Sequence, residues 1–246
     1  RVNHDSGNSY SYFNFLTQSL SESLSSRIGI PSFIENDTRA MAYGEYFKGI
    51  VNNEKNVLLI NLDDGIGMGI IIDGKLYSGK SGYAGEFGHL PILENDIICH
   101  CGKKGCLETE SSGVAIVKQL KSAINNGTSS ILEEKYSLNE IKIKHIVNAA
   151  LMDDTLSIDL ISKSGEKIGK GVAVLLNLFN PDLVVIGGEL SNSKSLILLP
   201  ILSSINKHSI NLINIDTKFK FSILEKKSGL IGVALLLRNK ILNISI

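Results

Sequence analysis

The stretch PDLVVIGG, residues 181–188, sets the terms for the rest of the chain. Leu183 to Ile186 run apolar without a polar break, and a glycine pair closes the run. A strand with one solvated face alternates polar and apolar residues, whereas a run like this has to be covered on both faces. Covering layers are at hand. Residues 157–179 read as a long helix, with Gly165, Gly169 and Gly171 at points of close packing, and residues 195–208 read as another helix despite Pro200. NVLLINLDD and GIGMGIIIDGKL read as two strands, with Asp73-Gly74 as a tight turn inside the second segment. PSFIEND and FKFSIL read as short strands. Residues 12–30 read as a helix stopped by Gly29 and Pro31, TRAMAYGEYFKG as one ended by Gly49, and Glu108 to about Ile124 as a third. IKIKHIVNAAL and GLIGVALLLRNK complete the helices, and residues 125–140 read as a polar loop. Strands and helices alternate, the order of an α/β protein, with no internal repeat.

The 246 residues are 43% hydrophobic and 20% charged, enough for one large domain or two modest ones. Formal net charge is zero, so no global basic field is available to hold DNA or an anionic membrane. No apolar run approaches the roughly 18 residues of a membrane span. The sequence opens on Arg1 without a secretory pattern, and is expected to be a piece of a longer, cytoplasmic protein.

All three cysteines fall between residues 99 and 106, an arrangement that argues for metal in a reducing compartment rather than a disulfide framework. Cys99, Cys101 and Cys106 offer three thiolates, and His89 lies ten positions before the first. Three sulfurs and an imidazole make a closed tetrahedral site suited to a structural Zn2+. Gly102 and Gly105 let the loop turn back on itself. His100, between two cysteines, competes as fourth ligand. His89 is the better candidate, because adjacent residues in a tight loop rarely point at one ion.

GEFGH followed by CHCGKKGCLE resembles the signature of the ROK family of repressors, open reading frames and sugar kinases. The resemblance extends through RVNHDSG, IENDTRAMAYGE, GIGMGIIIDGKL and NPDLVVIGGEL, nearly the whole chain. It implies an actin- and hexokinase-like (ribonuclease H-like) α/β ATPase fold of two lobes with a sugar between them. The smaller lobe, incomplete here, would comprise residues 1–48, joined by a C-terminal helix at 229–246. Residues 49–228 would form the larger lobe, with a zinc loop at 86–108. The family's zinc ligands carry over onto His89, Cys99, Cys101 and Cys106. Its sugar contacts carry over onto Asn36, Asp37, Glu86, His89 and Glu108, with Arg1 as a weaker addition. Read alone, Asp37 suits a helix cap; the resemblance makes it the base that would deprotonate a sugar hydroxyl in a kinase. The zinc would brace the loops carrying Glu86 and Glu108.

Phosphoryl transfer in this family needs phosphate loops. The kinases carry Gly-Thr-Gly-x-Gly-Gly-Gly where this chain reads Asp63-Asp64-Gly65-Ile66-Gly67-Met68-Gly69. Asp64 replaces a hydroxyl that donates to phosphate, and Met68 replaces a glycine. A carboxylate about 4 Å from a phosphate charge costs about 4 kcal/mol at an effective dielectric near 20. Mg2+ would offset part of this, since aspartate is also a metal ligand. The adenosine segment keeps Gly187 and Gly188 but carries Glu189 in place of a small residue. Alone, the loop reads as a β-hairpin with glycines at a crowded corner. A retained sugar pocket with a degraded nucleotide loop (Asp64, Gly65, Gly67, Gly187, Gly188) implies the effector-binding and oligomerisation domain of a regulator. Its effector would be a monosaccharide or amino sugar, and DNA would be met by an upstream winged helix-turn-helix outside these residues. The chain would form homodimers or homotetramers. The alternative is an ATP-dependent sugar kinase using Asp37.

Overall fold

A computed structural model describes residues 2–9 and 18–242. The expected approach of Arg1 to a sugar, and the first part of the helix read at 12–30, lie outside the described residues.

In chain order the strands and α-helices are β1 (Val2–Asn3), β2 (Asn8–Ser9), α1 (Leu20–Ile28), α2 (Asp37–Lys48), β3 (Val57–Leu62), β4 (Ile66–Ile72) and β5 (Lys75–Leu76). They continue with α3 (Glu108–Ser111), α4 (Gly113–Asn125), α5 (Ile143–Ala150), α6 (Thr155–Phe179), β6 (Leu183–Gly187), α7 (Ser195–His208), α8 (Asn211–Asp216), β7 (Lys218–Phe221) and α9 (Ser228–Leu242). β1 and β2 form a small antiparallel ribbon, and the other five strands form a sheet in the order β5-β4-β3-β6-β7. All five residues of β6 are buried, as their unbroken apolar run requires. β7 pairs parallel to it, Leu183 opposite Lys218.

The chain divides into two compact units. The first holds Arg1–Leu59, Met68–Glu86 and Ser222–Ile246. Within it α2 packs on α9 through glycines. A Cβ at Gly44 would collide with Ser228 O, and one at Gly232 with Ala40 O. Buried Asn239 of α9 donates to Tyr43 OH at 2.7 Å. Buried Glu45 accepts from Leu224 N (2.9 Å), Ile50 N (3.0 Å) and Ser222 Oγ, so one carboxylate ties the chain just after α2 to the segment at 222–224. The β4–β5 turn places Asp73 at φ 50° and Gly74 at φ 78°, the left-handed pair that a two-residue hairpin needs.

The second unit holds Ile60–Gly67 and Phe87–Phe221. α6 and α7 pack where a Cβ at Gly165 or Gly169 would strike the carbonyls of Ile197 and Ile201. Gly171 makes room for Phe87 and Ile92. Asp154 caps α6 and also accepts from Ser130 Oγ (3.1 Å) and Ile131 N (3.0 Å), pinning the polar loop to that helix.

Two elements depart from expectation. Pro31–Asn36 forms no strand: Pro31 brings no N–H, and Phe33 turns outward beneath the Lys240 ammonium. The helix expected from Glu108 breaks at Ser112, which is extended (φ −76°, ψ 161°) and caps α4 through its side chain. The break lets Gly113 N and Val114 N donate to Asp63 O (2.8 Å) and Asp64 O (3.2 Å), which a continuous helix would not allow.

Candidate metal centre and binding residues

The ligand atoms of His89, Cys99, Cys101 and Cys106 all lie within 4.8 Å of one another. Cys101 Sγ is 3.6 Å from Cys106 Sγ, and Cys99 Sγ is 3.5 Å from His89 Nδ1. A tetrahedron with metal–sulfur arms of about 2.3 Å has edges of about 3.8 Å, so these two spacings are near those of ligands sharing one cation. The loop is folded by local rules. Gly102 (φ 84°) and Gly105 (φ 73°) adopt the left-handed conformation, and Cys99 N donates to Lys103 O at 2.8 Å. Cys106 is fully buried and Cys99 nearly so. Burial above all, with the neighbouring thiols, pushes the Cys106 thiol up to about 12; burial also pushes Cys99 up. Thiols brought together this way become thiolates readily only beside a compensating cation. The three cysteines are free of disulfides.

His100 is exposed and its Nδ1 lies 3.8 Å from Cys99 Sγ, but it does not join the four-ligand set. It belongs to a second group with His89 and Glu108. Glu108 Oε2 sits 3.6 Å from His89 Nδ1 and 3.7 Å from His100 Nδ1, and has no hydrogen-bond partner. α6 supports the helix that Glu108 begins: Ser164 Oγ donates to Ser111 O at 2.9 Å, and Lys167 pairs with Glu110 at 2.6 Å.

In the first unit Asn36 rather than Asp37 caps α2, accepting from Arg39 N at 3.0 Å. Asp37 opens the helix exposed, its Oδ1 accepting from Thr38 N at 2.7 Å. Glu86 is half-buried at the end of a unit segment. A residue not anticipated from sequence organises this region. Arg39, 2% exposed, pairs with Glu35 at 2.6 Å and donates to the carbonyls of Gly82 and Val2 (the latter at 3.2 Å). Glu35 at i and Arg39 at i+4 were the available signal, but such pairs usually lie on a solvated face.

The glycine loop is tied down by its own backbone. Asp63 N donates to Gly65 O at 3.0 Å, and Asp64 N to Asp63 Oδ1 at 2.9 Å. Asp64 is exposed and Gly67 half-buried. Met68 is 6% exposed, so its side chain belongs to the core and not to an open loop face. Gly187 ends buried β6. Gly188 (φ 85°) lies against Leu62 O and Asn61 Oδ1, which alone accounts for its glycine.

The ROK family model matches residues 9–240. The DNA-binding transcriptional dual regulator NagC of Escherichia coli strain K12 is 32% identical over 91% of this chain and 54% of its own length. A crystal structure of a ROK family transcriptional regulator, a homolog of the E. coli MLC protein, superposes with a TM-score of 0.85 at 34% identity, covering 96% of this chain and 60% of that one. A ROK family glucokinase from Streptomyces griseus, solved with glucose and AMPPNP, superposes at 0.84 with 32% identity, covering 96% and 78%. The fold is therefore the actin- and hexokinase-like one, with mixed α/β content. The chain spans about half the length of the curated repressors it matches. Repressors and glucokinases both stand among the relatives. Among the described residues no helix is long and apolar enough to cross a membrane.

Proposed function

The chain belongs to the ROK family, and from that premise we propose that it is the sugar-binding and oligomerisation part of a transcriptional regulator. One observation carries the choice of regulator over kinase: the loop at 63–69 presents an exposed carboxylate at Asp64 where a kinase offers a hydroxyl. The repulsion of about 4 kcal/mol per charge pair at 4 Å works against a bound triphosphate. In this reading the residues that contact a monosaccharide or amino sugar are Asn36, Asp37, Glu86, His89 and Glu108. Carboxylates and an amide suit hydroxyls, which both donate and accept. One structural Zn2+ is held by His89, Cys99, Cys101 and Cys106 and fixes the loop that ends at Glu108. DNA binding belongs to parts of the protein beyond these residues, as the relatives' names suggest. Sugar and DNA affinities are then linked through the populations of two conformations.

The second reading, an ATP-dependent sugar kinase, is favoured by the glucokinase likeness and by Asp37, exposed at the start of α2 where a base would stand. ADP release from the intact protein with ATP, Mg2+ and glucose, xylose or N-acetylglucosamine separates the two. The regulator reading expects no sugar-dependent release above background; steady turnover with any of the three sugars overturns it.

A further inference from the structure

Gly65 does not adopt a positive φ, so left-handed backbone is not what demands glycine there. What demands it is space: a Cβ at residue 65 would come within 2.7 Å of Glu108 Oε1. The same carboxylate leaves Oε2 buried and without a hydrogen-bond partner, 3.6 Å from His89 Nδ1. Asp63 O and Asp64 O, just before Gly65, accept from Gly113 N and Val114 N, just after the short helix that Glu108 begins. Loop and carboxylate are thus seated on each other by a steric contact and two backbone hydrogen bonds, all within the second unit.

We propose that Gly65 is a positioning residue for sugar recognition: the glycine loop serves as the seat that holds the Glu108 carboxylate beside the metal-binding histidine. The proposal rests on the sugar-binding role given to Glu108 above. In it the loop's surviving glycine answers to a carboxylate, whether or not the loop ever meets a phosphate. A methyl at position 65 displaces the carboxylate, which is the free end of a flexible side chain, so the fold tolerates the change while the aim of Oε2 is lost.

The test uses the metal-loaded protein and three variants, Gly65→Ala, Glu108→Asp and the double substitution. Calorimetric titration with glucose, xylose and N-acetylglucosamine reads the binding arm. Gly65→Ala should weaken the sugar that binds by about ten- to a hundred-fold, the worth of a hydrogen bond to a charged group, with metal content and Tm held. The shorter aspartate relieves the collision, so the double variant should bind more tightly than the two single losses combined predict. Additive losses, or undiminished binding by Gly65→Ala, overturn the proposal. If the unsubstituted protein binds none of the sugars, the sugar reading has failed. The seat is then judged from crystal structures of the metal-loaded protein and Gly65→Ala: a displaced Glu108 carboxylate upholds it, and an unmoved one overturns it.

Discussion

Cys106 has no exposed surface, and its burial favours a neutral thiol. Buried thiols of this kind beside an imidazole become thiolates readily only where a cation compensates them. Metal analysis of protein purified without chelator should find about one zinc per chain. Cys101→Ser should lower the affinity by at least about a hundred-fold, since even partners outside the ligand shell are commonly worth ten- to a hundred-fold. Unchanged zinc content in the variant would refute the ligand set. Arg39 shows the limit of reading side chains from sequence. Its charge suggests solvent, yet it is 2% exposed and held by Glu35 and two carbonyls. Nothing in the local pattern says that Val2 and Gly82 come to meet it, because both contacts are made across long separations in sequence. Met68, at a position where the kinases carry glycine, places its side chain in the core.

The helices were largely legible because their signals are local. Periodicity marked α6, and its Gly165 and Gly169 fall where α7 carbonyls press against it. α2 and α9 use the same device, and Gly232→Ala should cost about 3 kcal/mol in urea unfolding, the upper part of the usual range for overpacking. Asp154 combines a helix cap with the anchoring of the polar loop. Burial pushes its carboxyl up, but the Ser157, Ile131 and Ser130 hydrogen bonds outweigh this and hold it below the usual carboxylate range. A depressed folded-state value means stability that is present above the unfolded pKa and is lost as pH falls through the folded one. Asp154→Ala should therefore cost about 2–3 kcal/mol at neutral pH, and the gap to the unsubstituted protein should narrow below about pH 4. A gap independent of pH would show that the carboxylate's charge is not what stabilises the cap. The break at Ser112 was not legible. Ser112-Gly113 offers a cap residue and a poor helix former, but the apolar periodicity that follows masks this signal, and the interruption lets two N–H groups meet the glycine loop.

The proposed sugar binding would be read over the entire fold, as added stability. A ligand that binds only the native state at a hundred times its Kd adds about 2.7 kcal/mol to stability. For a chain of this size that corresponds to a Tm rise of about 5–10 °C. One sugar among glucose, xylose and N-acetylglucosamine should produce such a rise, and Glu108→Gln should abolish it. A flat response to every sugar would count against the recognition proposed here.

The α/β order, the buried central strand, the hairpin turn and the metal-ligand spacing follow from the sequence by itself. Each rests on a run, a period or a spacing of a few residues, and short-range sterics and hydropathy act over that span. Only the tertiary structure decided that Arg39 is buried, that Asn36 and not Asp37 caps α2, and that Gly65 faces Glu108. The burial of Arg39 and the contact of Gly65 depend on which distant backbone or side chain arrives at a given place; the cap turns on the direction a side chain takes once the fold has formed. Packing and hydrogen-bond geometry settle both, and no local pattern records them.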